Sequence, residues 1–126
     1  MQNELKIVGI QADLVWENPK ENRIQFSKII EKLEEDVDLI VLPEMFTTGF
    51  TMSPKNVAEK MDGKTISWMK EIALKKNTAV TGSLVIEDNN KFYNRLVFVH
   101  PSQKIETCDK RHSFTLAGEH KEYSSG

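Results

Sequence analysis

DVDLIVLPEMF, residues 36–46, decides how the rest of the chain is read. It is a short apolar run rich in β-branched residues, the pattern of a buried strand. Immediately before it, ENPKENRIQFSKIIEKLEE (residues 17–35) carries the marks of a helix. Asn18 can cap it, Pro19 suits the first turn, and Glu21 lies three residues after the cap. Phe26, Ile29, Ile30 and Leu33 then fall on one apolar stripe. Upstream, LKIVGIQADL (residues 5–14) is again strand-like, and its run Ile7–Ile10 predicts burial on both faces and a central position. Strand, helix, strand is a parallel pair with the helix laid over one face.

Working outward, TTGFTMSPKNVAEKMDGKT (residues 47–65) is interrupted by Gly49, Pro54 and Gly63 and reads as a long loop with at most one helical turn. A second helix is predicted from Lys64 to Asn77, with Ile66, Met69 and Ala73 on its apolar side and Trp68 and Ile72 beside them. AVTGSLVIE and FYNRLVFVH, joined through EDNNK, predict an antiparallel hairpin, and HPSQ leads into a last strand, KIETCD. The closing KRHSFTLAGEHKEYSSG is loop-like, and nothing apolar is expected to close the chain. The fold class is therefore mixed α/β, with helices on one face of the sheet. Five or so strands with only two clear helices leave one face short of cover.

Composition narrows the function. The chain has 126 residues, enough for one core, and 39% apolar with 29% charged residues is ordinary for a soluble protein. A formal net charge of -2 lacks the basic surplus of a nucleic-acid binder. No apolar run approaches the roughly 20 residues that span a bilayer, and MQNELK does not open a signal peptide, so a cytoplasmic location away from membranes is expected. Cys108 is the single cysteine and the three histidines are scattered, so neither a disulfide nor a metal site is expected.

Three charged residues are candidates for chemistry. Glu44 stands at the carboxyl end of a buried strand, where open α/β sheets gather ligands, and a carboxylate in a poorly hydrated cleft there can serve as a general base. The competing reading is a loop cap or a surface ion pair. Lys110 follows the last strand, and its ammonium could face a carbonyl oxygen that gains charge, although DKRH could equally be a solvated turn. Glu119 could orient Lys110 or could be an ordinary exposed carboxylate. Cys108 shares strand parity with Lys110, yet a thiol in such a strand is expected to be a small packing residue. His112 and His120 carry no ligand pattern; Phe46, Phe50 and Phe114 flank the charged candidates and are candidates for a substrate pocket as well as for packing.

LPEMFTTGF (residues 42–50) and CDKRHSFTLAGEH (residues 108–120) closely resemble the nitrilase superfamily of carbon-nitrogen hydrolases. KIVGIQADLVWENPKEN and FYNRLVFVHPSQKI resemble that family's first strand-helix boundary and central hairpin. Within it, the methionine and double threonine after Glu44 and the DKRH context are most similar to omega-amidases. The resemblance implies an αββα sandwich and a Glu-Lys-Cys triad, with Glu44 and Lys110 in the first two places and Glu119 as the supporting acid. It also implies that the nucleophile follows the lysine by a few tens of residues, beyond Gly126, and that Cys108 is not its match. Residues 1–126 are then expected to be the amino-terminal half of a carbon-nitrogen hydrolase domain, lacking the carboxyl-terminal half and inactive alone. A small amide is the implied substrate, with no cofactor, and a homo-oligomer is the implied assembly. The alternatives are a non-catalytic binding or assembly module and a site that uses Cys108.

Overall fold

The computed structural model describes residues 4–33, 36–111 and 122–126. Strands β1 (Ile7–Gly9), β2 (Leu39–Val41), β3 (Ala79–Asp88), β4 (Lys91–Val99) and β5 (Ile105–Asp109) form one sheet in the order β1-β2-β3-β4-β5. The β1-β2 and β2-β3 pairs are parallel, and β3-β4 and β4-β5 are antiparallel. The parallel connections run through helices α1 (Pro19–Glu31) and α2 (Lys64–Lys76).

The helix boundaries follow from local chemistry. The Asn18 side chain accepts a hydrogen bond from the Glu21 amide at 3.1 Å, with Pro19 as the first helical residue. Helix α2 ends where Asn77 turns into the left-handed region at φ 50°. Asn89 and Asn90, with φ of 52° and 63°, make the tight β3-β4 hairpin turn that matches strand twist. A single short 3-10 turn, Pro54–Asn56, interrupts the long loop.

Strand alternation sends Ile40, Val80, Leu84, Ile86, Val97 and Val99 to one face of the sheet. There they pack with Phe26 and Ile30 of α1 and with Ile66, Met69 and Ala73 of α2. Both helices thus cover the same face, as the strand and helix pattern implies. The opposite face carries Val41, Thr81, Ser83, Asn94, Leu96, Cys108 and Lys110, around an open cleft.

Two expectations are corrected. Strand β1 is an edge strand, not a central one: it pairs only with β2 among the described residues, and Ile7 is 55% exposed. Its apolar run signals burial on both faces, but the described chain puts a helix layer on one face only. The chain end does carry an apolar anchor, because Tyr123 is buried with Met45 and Val85 and donates to the Thr51 carbonyl at 2.8 Å. Beyond it, the Gly126 amide donates to the Lys110 carbonyl at 3.1 Å. Among the described residues no helix is long and apolar enough to cross a membrane.

Candidate functional site

Glu44 follows β2 by three residues, and its backbone is fixed from β3. The Leu42 amide donates to Thr81 O at 2.8 Å, Met45 N to Ser83 Oγ at 2.8 Å, and Phe46 N to Ser83 O at 3.1 Å. These bonds hold Met45, fully buried, in the left-handed region at φ 51°. That conformation costs a non-glycine residue about 1 kcal/mol or more, and such strain collects at functional sites. The turn also needs Gly82. A Cβ there would lie 2.8 Å from Phe46 Cδ1 and 2.9 Å from Leu42 Cβ, so only glycine lets the segment bearing Glu44 lie this close to β3.

Lys110 comes to the same place from the other edge. It follows β5, and its amide donates to the Asn94 carbonyl on β4 at 3.0 Å. One residue earlier, Asp109 receives two hydrogen bonds from Arg95, Nε at 2.6 Å and Nη2 at 3.0 Å, and Arg95 also reaches Asp88 at 3.2 Å. The hydrogen bonds that Arg95 donates to Asp109 raise the Arg95 pKa above its already high ordinary value, against the opposing effect of burial. This planar clamp fixes β5 on β4 where Lys110 begins.

Two groups meet on one oxygen. Lys110 Nζ lies 3.5 Å from Glu44 Oε2, and Asn94 Nδ2 donates to the same oxygen at 2.9 Å. Glu44 and Lys110 side chains are 46% and 32% exposed, so their ion pair is worth at most about 1 kcal/mol of stability. They border a cleft of about 440 Å³ lined also by Val41, Leu42, Thr81, Ser83 and Leu96. A carboxylate that can take a proton and an ammonium that can face a developing oxyanion thus share one hollow.

The other candidates separate. Phe46 is a core residue and does not line the cleft: it is fully buried, 5.9 Å edge-on from Phe26 and 6.0 Å from Trp68. It lies on the helix side because the left-handed turn at Met45 sends the next side chain inward. Phe50 is 55% exposed and is not among the residues lining the cleft. Cys108 is exposed and lines the cleft, against the expectation that it packs, because its face of β5 has no cover among the described residues. Glu119, Phe114, His112 and His120 lie outside the described residues. Among the described residues no group of three or more histidine, cysteine or acidic side chains is placed to hold a metal.

Sequence reasoning missed Asn94, Ser83, Gly82 and Asn22. Asn22 is fully buried on α1; it accepts from Val15 N at 2.7 Å and donates to Val15 O at 2.8 Å and Thr47 O at 2.7 Å. It thereby ties the segment before the helix to the loop after Glu44. A polar residue beside an apolar helical stripe, and an asparagine inside FYNRLVFV, were the available signals.

Residues 6–125 match the carbon-nitrogen hydrolase family. The chain is 36% identical to omega-amidase YafV of Yersinia enterocolitica over 124 residues, which are 97% of this chain and 47% of that protein. It is 32% identical to the 2-oxoglutaramate amidase of Bacillus subtilis, over 93% of this chain and 46% of that one. A CN-hydrolase superfamily protein from Xanthomonas campestris, solved with an arsenic adduct in its active site, superposes with a TM-score of 0.94 at 34% identity, covering 99% of this chain and 47% of the other. The chain therefore spans about half the length of the curated relatives it matches.

Proposed function

Because the chain belongs to the carbon-nitrogen hydrolase family, we propose that it supplies the proton-transfer and oxyanion-stabilising groups of an enzyme that hydrolyses terminal amides of small dicarboxylate derivatives. The observation that carries this reading is the meeting of Lys110 Nζ and Asn94 Nδ2 on Glu44 Oε2 over the open face of the sheet. The omega-amide class is supported by what the bacterial relatives are called.

The reaction divides into two halves. Glu44 takes the proton of a cysteine thiol as its sulfur bonds to the amide carbonyl carbon, and the oxygen gains negative charge beside the Lys110 ammonium. Collapse breaks the carbon-nitrogen bond, and the proton held by Glu44 goes to the leaving ammonia. Water then loses a proton to Glu44 as it adds to the thioester, and carbon-sulfur cleavage releases the acid and restores the thiol. We assign this nucleophile to the part of the relatives' length that the 126 residues do not span, and Glu119 to support of the lysine.

One observation favours a second reading. Cys108 is exposed in the same cleft as Glu44 and Lys110, which makes it a rival thiol. Ammonia release by the complete gene product from an omega-amide of a 2-oxo dicarboxylic acid, a simple aliphatic amide, an N-carbamoyl amino acid and a nitrile tests the substrate class. Preference for the omega-amide is expected, and release from none of the four would overturn the proposal. Peptide mapping of an electrophilic amide analogue decides the thiol: an adduct on Cys108 favours the second reading, and one elsewhere favours the first.

A further inference from the structure

We propose that Asn94 is a positioning residue for Glu44, fixing which carboxylate oxygen is held and which is left to move protons. The inference rests on the amide-hydrolase reading above. Both described contacts of the Glu44 carboxylate, from Asn94 Nδ2 at 2.9 Å and from Lys110 Nζ at 3.5 Å, fall on Oε2. Oε1 is the oxygen without a recorded partner among the described residues. A carboxylate held by Lys110 alone could turn about its last bond, because a single ammonium at this distance is a point charge that prefers neither oxygen. A directional N–H bond from a buried, immobile amide removes that freedom.

Asn94 is built to be immobile. It is 4% exposed, lies inside the longest strand pairing of the sheet opposite Val85, and its carbonyl accepts the Lys110 amide at 3.0 Å. One residue therefore holds the lysine by its backbone and the glutamate by its side chain. Stability alone does not explain the choice. Asn94 Oδ1 is buried without a hydrogen-bond partner among the described residues, which makes asparagine a poor residue for this position if packing were its purpose. Leucine has nearly the same shape and leaves no orphaned acceptor. What leucine lacks is the donor to Glu44.

The test pairs kinetics with a signal that does not depend on turnover. In the complete gene product, Asn94→Leu should lower kcat about 100-fold with KM little changed, as expected when a catalytic group is misplaced but the substrate is still bound. Added to Glu44→Gln it should cause no further loss, because the Asn94 side chain acts only through that carboxylate. In a proton-nitrogen correlation spectrum of the same protein, the Asn94 side-chain NH₂ resonances should move on Glu44→Gln. Losses that multiply in the double variant, an effect confined to KM, or NH₂ resonances that stay in place would each overturn the assignment. If Asn94→Leu does not fold, Asn94→Ala removes the donor without adding bulk or charge and should reproduce the loss in kcat; failure of both to fold would make Asn94 a structural residue. Absence of ammonia release from the wild type would sink the amide-hydrolase reading, while the NH₂ signal would still decide whether Asn94 braces Glu44.

Discussion

Replacing Gly82 by alanine places a methyl group where the structure has no room for one. The new Cβ would sit 2.8 Å from Phe46 Cδ1 and 2.9 Å from Leu42 Cβ, about half an ångström inside the 3.4 Å at which ordinary contact begins. Neither neighbour has an easy escape. Leu42 Cβ is carried by backbone bonded to Thr81 O at 2.8 Å, and the Phe46 ring is held between Phe26 and Trp68 with none of its surface exposed. The backbone from Leu42 to Phe46 must then shift away from β3, and overpacking of this kind costs about 2 kcal/mol. Gly9→Ala is the internal control, because a Cβ there meets nothing within 4 Å among the described residues. It should be neutral or stabilise by up to about 1 kcal/mol through the unfolded chain. Urea unfolding followed by tryptophan fluorescence measures both; with a slope of about 2 kcal/mol per molar urea, Gly82→Ala should lower the midpoint by about 1 M. Since the displaced segment carries Glu44, ammonia release should fall as well. A Gly82→Ala midpoint equal to that of Gly9→Ala would refute the close approach of the Glu44 segment to β3.

Asn22→Ala strands Val15 N, Val15 O and Thr47 O, and should cost about 3 kcal/mol in the same unfolding assay. Arg95→Met leaves Asp109 without its clamp and should cost about 2 kcal/mol, less than a fully buried pair because the Asp88 side chain is 45% exposed. It should also lower kcat by loosening β5 ahead of Lys110, which steady-state kinetics would detect. The hydrogen bond from His100, assisted by the Lys104 charge, holds the Glu106 pKa below the ordinary 4.5. A lowered folded-state value means a contribution that is present above the ordinary value and lost as pH falls through the lowered one. Glu106→Gln should therefore remove a stabilising contribution that the wild type has above about pH 4.5 and flatten the acid side of the profile below it, measured by thermal unfolding in a pH series.

Local patterns in the sequence carried most of the fold, because each element is specified by neighbours in the chain. Asn18 and Pro19 mark the start of α1, Asn77 and the apolar stripe of Ile66, Met69 and Ala73 mark α2, and Asn89-Asn90 mark the hairpin. What failed depends on distant chain. The apolar run of β1 signals burial on both faces, yet nothing in residues 5–14 states which strand or layer would provide the cover. Tyr123 looks like part of a polar tail until its hydroxyl meets Thr51 O across 72 positions.

The site divides in the same way. Glu44 and Lys110 were legible as single charges at strand ends, while their meeting is a product of sheet order. Pocket and packing stayed open for Phe46 because proximity in sequence to Glu44 does not reveal that Met45 turns left-handed and sends the ring to the opposite face. Asn94 was passed over because its role comes from two residues 50 and 16 positions away, Glu44 and Lys110.

Ammonia release from an omega-amide by the complete gene product and its Glu44→Gln and Lys110→Met variants, each verified as folded by circular dichroism, tests the central claim most directly. The account predicts that each variant loses at least about 100-fold in kcat, since one is deprived of its base and the other of its oxyanion partner. Variants that fold and turn over at the wild-type rate would contradict it, because Glu44 and Lys110 would then be an ordinary ion pair on an open sheet face.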